Sequence, residues 1–214
     1  SVTFPMPLPN KPAGSTVSFD LDGLALNINK GGLQLSGGFL KAIDPDKTVS
    51  YYGELMVQFG EFGFKAVGGY SPNANPASFF IFANIEVPLG GPPFLFVTGL
   101  SGGFGINRSL ILPTVDNLAG CVLLPGGLKN PPKPDATPAE VVAGVLPQLE
   151  SMFANKPGEY WVALGVQFTS FEMIQAFALV TVAFGVDLQV GLIGTCSMSF
   201  PPDENARSEE HTSE

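Results

Sequence analysis

Apolar and polar residues alternate along most of the chain. Val17, Phe19 and Leu21 alternate with Ser18, Asp20 and Asp22, and after Gly23 the phase inverts: Leu24, Leu26 and Ile28 alternate with Ala25, Asn27 and Asn29. A one-residue shift sends every side chain to the opposite face, so Gly23 marks a bulge or a turn. Val49, Tyr51, Leu55, Val57 and Phe59 continue the pattern against Ser50, Glu54 and Gln58, and Val186, Leu188, Val190 and Leu192 repeat it against Asp187 and Gln189. A period of two is the mark of a half-buried antiparallel strand. Other runs are apolar at every position: Phe79-Phe80-Ile81-Phe82, Phe94-Leu95-Phe96-Val97 and Phe177-Ala178-Leu179-Val180. Strands of this kind call for cover on both faces, from a helix, a second sheet, a lipid or a further segment of protein.

Turn signals separate these runs. Asn29-Lys30-Gly31-Gly32 and Gly60-Glu61 suit tight connections, while residues 44–47 and 71–76 suit longer loops. About ten strands result, and helical crossovers that would make them parallel are missing. One helix is signed. Thr137-Pro138-Ala139-Glu140 supplies a cap, a proline at the first helical position and a glutamate that closes a capping box. Val141, Val142, Val145, Leu149, Met152 and Phe153 then form one apolar stripe, which Pro147 kinks or splits. The stripe suits a lid packed on the sheet. Residues 128–136 read as a stiff polar linker, and residues 115–121 as a short helical turn. The expected fold is therefore mainly β: antiparallel sheet with one amphipathic covering helix, arranged as an open groove or a partial barrel. Residues 57–62 and 166–171 share a Val-Gln-Phe-x-x-Phe pattern, the trace of a two-unit repeat or of chance among Phe-rich strands.

Composition sharpens this picture. Only 14% of the 214 residues are charged and 45% are hydrophobic, too apolar a chain for disorder. A net charge of −9 argues against nucleic acid, whose affinity comes from cationic phosphate contacts. Cys121 and Cys196 make neither a disulfide framework nor a thiolate metal site, and the default reading is two buried free thiols. The chain does not begin with Met, and its first nine residues, with Pro5, Pro7 and Pro9, read as an extended connector. The last eight, from Arg207 to Glu214, resemble a translated sequencing adapter. The expected organisation is thus a fragment of one β-rich domain over residues 1–206, cut at both ends, with an artefact tail over 207–214.

Candidate chemistry is thin. Gly99-Leu100-Ser101-Gly102-Gly103 matches a nucleophile elbow, but the elbow needs a following helix and a histidine, and His211 is the chain's single one. Asp20 and Asp22 share a strand face but supply too few oxygens for Ca²⁺. Asp44, Asp46, Glu54, Glu61 and Glu86 could hold a glycosidase-type pair only at separations a sequence does not give. Asn107-Arg108-Ser109 is a glycosylation sequon. The apolar stretch 174–194 is broken by Gln175, Asp187 and Gln189, which disfavours a transmembrane helix. Some strands fit an outer-membrane barrel, but the two-faced Phe runs, the polar linker and the capped helix do not.

The block Pro88-Leu89-Gly90-Gly91-Pro92-Pro93-Phe94-Leu95-Phe96-Val97-Thr98-Gly99-Leu100, running on through Ser101-Gly102-Gly103-Phe104-Gly105-Ile106-Asn107-Arg108-Ser109, resembles an uncharacterised family. That family is known only as a domain of unknown function and occurs in very large bacterial and fungal proteins. The run from Phe171-Glu172-Met173-Ile174 to Phe184-Gly185 is similar to a later segment of it, so the resemblance extends from about residue 32 to residue 201. It implies a β-rich module inside a longer chain and carries over no catalytic residue.

The expected function is a non-catalytic structural or assembly module of a large multidomain protein. The alternative is a module that binds lipid or another apolar ligand in a β-lined groove, with Phe79, Phe82, Phe94 and Phe96 as lining. No catalytic residue, metal or cofactor is implied. The expected partners are flanking segments of the same chain, with lipid or an apolar ligand in the alternative; the compartment is left open.

Overall fold

The computed structural model describes residues 23–114, 117–118, 120–125 and 144–199. Among the described residues nine strands form one antiparallel sheet in chain order: β1 (Gly23–Lys30), β2 (Leu33–Ile43), β3 (Val49–Phe59), β4 (Phe62–Ser71), β5 (Ser78–Gly90), β6 (Phe96–Arg108), β7 (Asn155–Ser170), β8 (Ile174–Phe184) and β9 (Gln189–Met198). Each strand pairs with its chain neighbours, and β1 and β9 are the outermost of the described strands. The sheet is open and does not close into a barrel.

The tight turns follow the glycines. Gly31 and Gly32 both have positive φ, 61° and 83°, and join the paired residues Lys30 and Leu33. A two-residue hairpin turn of this hand suits the twist of the strands and needs residues that tolerate positive φ. Gly60 plays the same part between Phe59 and Phe62. The two segments of the Val-Gln-Phe pattern each run from a strand into a hairpin turn, after β3 and β7.

One face of the sheet is covered. Register places Tyr52, Gly69, Phe80, Gly105, Trp161 and Ala183 side by side across β3 to β8, pointing to that face. Over them lie residues of the β6–β7 connection, including Leu110, Val122 and Leu123, and the helix α1 (Leu146–Met152). The rings of Phe80 and Phe153 stack at 4.1 Å, and Phe153 meets Trp161 at 5.6 Å. The glycines leave room for these rings: a Cβ at Gly105 would lie 2.1 Å from Trp161 Nε1, and one at Gly69 2.4 Å from Phe80 Cε1.

Pro147 lies in the first turn of α1, where its missing N–H breaks no helical bond. Val145, Leu149, Met152 and Phe153 are buried in the cover, and the part of the stripe before residue 144, against which the expected kink or split would be judged, lies outside the described residues. The capping box at 137–140, Val141, Val142, the linker at 128–136 and the alternation at 17–22 lie outside the described residues. So do the expected connector and tail. In the 115–121 region, single turns bond Asn117 N to Thr114 O and Cys121 N to Leu118 O.

The expectation of cover on both faces of the all-apolar runs is corrected. Among the described residues, only one face is covered. In Phe79-Phe80-Ile81-Phe82, Phe80 and Phe82 are buried, while Phe79 and Ile81 are 36% and 38% exposed. Phe94 and Leu95 are not in a strand; they form the turn that leads into β6.

Candidate functional site

The uncovered face is built from the odd-even complement of the core. Its first row is Tyr51, Tyr70, Phe79, Ile106, Tyr160 and Phe184, paired in sequence across β3 to β8. Two residues along each strand, Ile81, Phe104, Val162 and Val182 follow beside Gly53 and Gly68. The third row is Leu55, Ala66, Ala83, Gly102, Leu164 and Val180, and the fourth Val57, Phe64, Ile85, Leu100, Val166 and Ala178. β9 extends the middle rows with Val190 and Leu192. From β3 to β8 these four rows contain no charged side chain, and their only side-chain polar atoms are three tyrosine hydroxyls in the first row. Lys41 ends that row at β2, and Lys30 stands at the end of β1. Leu164 and Leu192 are each 73% exposed, and Phe104 in the sheet centre is 43% exposed.

The face has relief. Gly53, Gly68 and Ala66 leave a depression of about 330 Å³, walled by Phe39, Tyr51, Leu55, Tyr70, Phe79 and Ile81. A separate cavity of about 650 Å³ lies at the opposite strand ends, between the β5–β6 and β7–β8 turns, against Phe96, Thr98 and Phe171.

The four phenylalanines expected to line one groove are therefore not brought together. Phe79 lines the depression, Phe82 is buried on the covered side, Phe94 is exposed in a turn, and Phe96 borders the second cavity.

Polar chemistry concentrates at one corner of the covered side. Asn107 has φ 54°, and the pairing of β6 with β7 is irregular between Ile106 and Arg108. A bulge re-aims the next side chain, and Arg108 is fully buried. Its Nη1 donates to Phe153 O at 2.6 Å and to the Tyr52 hydroxyl at 3.2 Å, and its Nη2 donates to Ser71 Oγ. The guanidinium lies 5.6 Å from the Tyr52 ring centre and 5.5 Å from that of Phe80. Asp44 Oδ2 is 4.0 Å away and accepts from Ser50 Oγ at 2.5 Å and Asn155 Nδ2 at 2.9 Å, while Oδ1 accepts from Tyr52 at 2.7 Å. Burial pushes the Tyr52 phenol well above its usual range. Among the described residues Arg108 Nε has no hydrogen-bond partner; the other groups satisfy one another, which makes the cluster a clasp joining the β2–β3 and β4–β5 loops to the start of β7. The sequence marked Arg108 only as part of a sequon; its isolation in a chain with two arginines was the available signal.

The other candidates disperse. Ser101 lies mid-strand in β6, paired with Asn84 and Gly165, and its hydroxyl donates to Asn84 Oδ1. No strand-to-helix turn exists there, so the elbow reading fails. Asn107 of the sequon is buried, donating to Ala77 O at 2.9 Å and accepting from Gly158 N at 3.0 Å. Glu86 pairs with Lys65 at 3.1 Å. Glu54 stands apart on the covered side, and burial lifts its carboxyl to about 7. Cys121 is buried, but Cys196 is exposed on β9, which corrects the reading of two buried thiols; both are free. Asp20 and Asp22 lie outside the described residues. Among the described residues no three potential metal ligands cluster, and no helix is long and apolar enough to cross a membrane.

The model of a family of unknown function, DUF6603, matches residues 1–211, and the chain belongs to that family. No curated protein and no solved structure matches the chain.

Proposed function

We propose that this member of the DUF6603 family is a non-catalytic structural or assembly module of a larger protein, and that the uncovered sheet face is its association surface. The observation that carries this reading is the uncharged composition of four consecutive rows across β3 to β8. Six strand widths of about 4.8 Å and four rows of about 6.8 Å give the face from β3 to β8 an extent of roughly 800 Å². The largest apolar patch on an ordinary monomer is about 300–600 Å², and larger patches mark interaction sites. The clasp around Arg108 supports the same reading, because its polar groups are turned toward one another and tie loops together.

The test is hydrodynamic. In detergent-free buffer the chain is expected to self-associate with rising concentration and to bind an anilinonaphthalene dye. Leu164→Asp with Leu192→Asp is expected to reduce both, because these side chains project from the face and make little of the core. A chain that stays monomeric, binds no dye and is indifferent to the aspartates would overturn the reading.

A further inference from the structure

We propose that the partner of the uncovered face is the acyl region of a zwitterionic phospholipid bilayer; the inference rests on the association reading and names what associates. The area alone admits a protein partner, since a stable complex buries about 800 Å² per side. The chemistry separates the two. A protein interface of standard size carries about ten hydrogen bonds, which fix its register. Between β3 and β8 the four rows offer three hydroxyls, those of Tyr51, Tyr70 and Tyr160, all in the first row. Acyl chains need no hydrogen bonds and no register.

The margins point the same way. Tyrosines with an apolar body and a polar tip stand along one border, where a ring can lie in hydrocarbon and its hydroxyl in water or headgroups. At the end of β1, Lys30 stands at the border of the face, where a long apolar stem carries an ammonium to the same level. The relief also suits a fluid occupant. Leu164 and Leu192 stand out, while Gly53, Gly68 and Ala66 floor a depression of about 330 Å³ with apolar walls, room for flexible methylene chain. The polar and acidic groups Glu54, Asn84, Glu86 and Asp44 belong to the other side of the sheet. A net charge of −9 disfavours an anionic membrane, which is why the bilayer is zwitterionic.

The experiment is flotation of the full chain with phosphatidylcholine vesicles, beside the double variant Leu164→Asp/Leu192→Asp. The expected result is co-flotation of the wild type and at least a tenfold loss in the variant. A second readout covers a variant that fails to fold. In Leu164→Trp, the introduced indole is expected to be quenched by phosphatidylcholine brominated along its acyl chains. Trp161, fully buried on the covered side, is the unquenched internal control in the wild type. An unquenched introduced indole overturns the proposal. Absence of flotation with concentration-dependent oligomers that the aspartates abolish also overturns it and makes the partner a second copy, leaving the association reading intact. Absence of flotation with a monomer indifferent to the aspartates overturns both.

Discussion

Gly105 and Gly102 stand three positions apart on β6 and face opposite sides of the sheet. A Cβ at Gly105 would meet the Trp161 ring at 2.1 Å, whereas at Gly102 the nearest atom is 3.7 Å away. Neither has positive φ, so the difference is packing alone. Gly105→Ala is expected to destabilise by about 2 kcal/mol, the usual scale of overpacking, and Gly102→Ala by less than about 0.5 kcal/mol. Urea midpoints compare them, and equal costs would mean that the indole does not lie over Gly105. Arg108 tests the clasp. Arg108→Met leaves Asp44 buried without its cation and is expected to cost about 3 kcal/mol, partly recovered by adding Asp44→Asn. A double variant no better than the single would show that Asp44 does not depend on the arginine. Glu54 makes the clearest pH argument. Its folded pKa, about 7, lies above the usual 4.5, so the folded state binds the proton more tightly. The stability that Glu54 contributes is therefore fullest below about pH 4.5, falls as pH rises through 7, and levels off beyond. Glu54→Gln is expected to flatten that slope and to exceed the wild type at pH 8 by at most about 3 kcal/mol. Denaturation curves at pH 4.5 and 8 decide it, and a variant less stable at pH 8 would refute burial as the cause.

The covering layer is the element on which the core depends. Phe153, just after α1, stacks on Phe80 and touches Trp161, and Cys121 lies beneath with its sulfur 4.0 Å from Met152 Sδ. Burial also raises the Cys121 thiol pKa, which slows its reaction further. In the native protein an aromatic disulfide reagent is expected to modify Cys196 at once and Cys121 only as the layer opens. Phe153→Ala removes the stack and is expected to speed the slow phase by ten-fold or more. Two fast thiols in the wild type would show that the layer does not protect Cys121. β1, β3 and part of β9 were legible from period-two alternation, the hairpins from Gly31-Gly32 and Gly60, and the last turns of the helix from the spacing of Val145, Leu149 and Met152. The faces were less so, because runs such as 79–82 are apolar at every position and read as covered twice. Parity already limited the proposed groove: Phe79 and Phe82 are three apart in one strand and point to opposite sides. Arg108 was hidden for a different reason. Its inward turn depends on the bulge at Asn107, a non-glycine residue at positive φ that alternation does not reveal.

At the scale of the molecule, a meander in which every described strand pairs with its chain neighbours has two faces to resolve. One face is closed by α1 and the β6–β7 connection. The other segregates its chemistry so completely that salt becomes a test of what drives association. An interface held by ion pairs weakens as ionic strength rises, because the Debye length falls from about 10 Å at 0.1 M to about 3 Å at 1 M. The rows between β3 and β8 have no charge to screen, while the net charge of −9 keeps copies of the chain, though not a zwitterionic surface, apart at low salt. Sodium chloride is therefore expected to leave vesicle binding nearly unchanged and to promote self-association. Sulfate, excluded from protein surface, is expected to strengthen both. The check is flotation and sedimentation velocity across 0.05–0.5 M of each salt, concentrations within the range over which screening changes several-fold. Binding that weakens with sodium chloride would place the contact on the charged side of the sheet, around Lys65, Glu86 and Asp46. The uncovered face would then be a surface that the protein leaves bare rather than the one by which it associates.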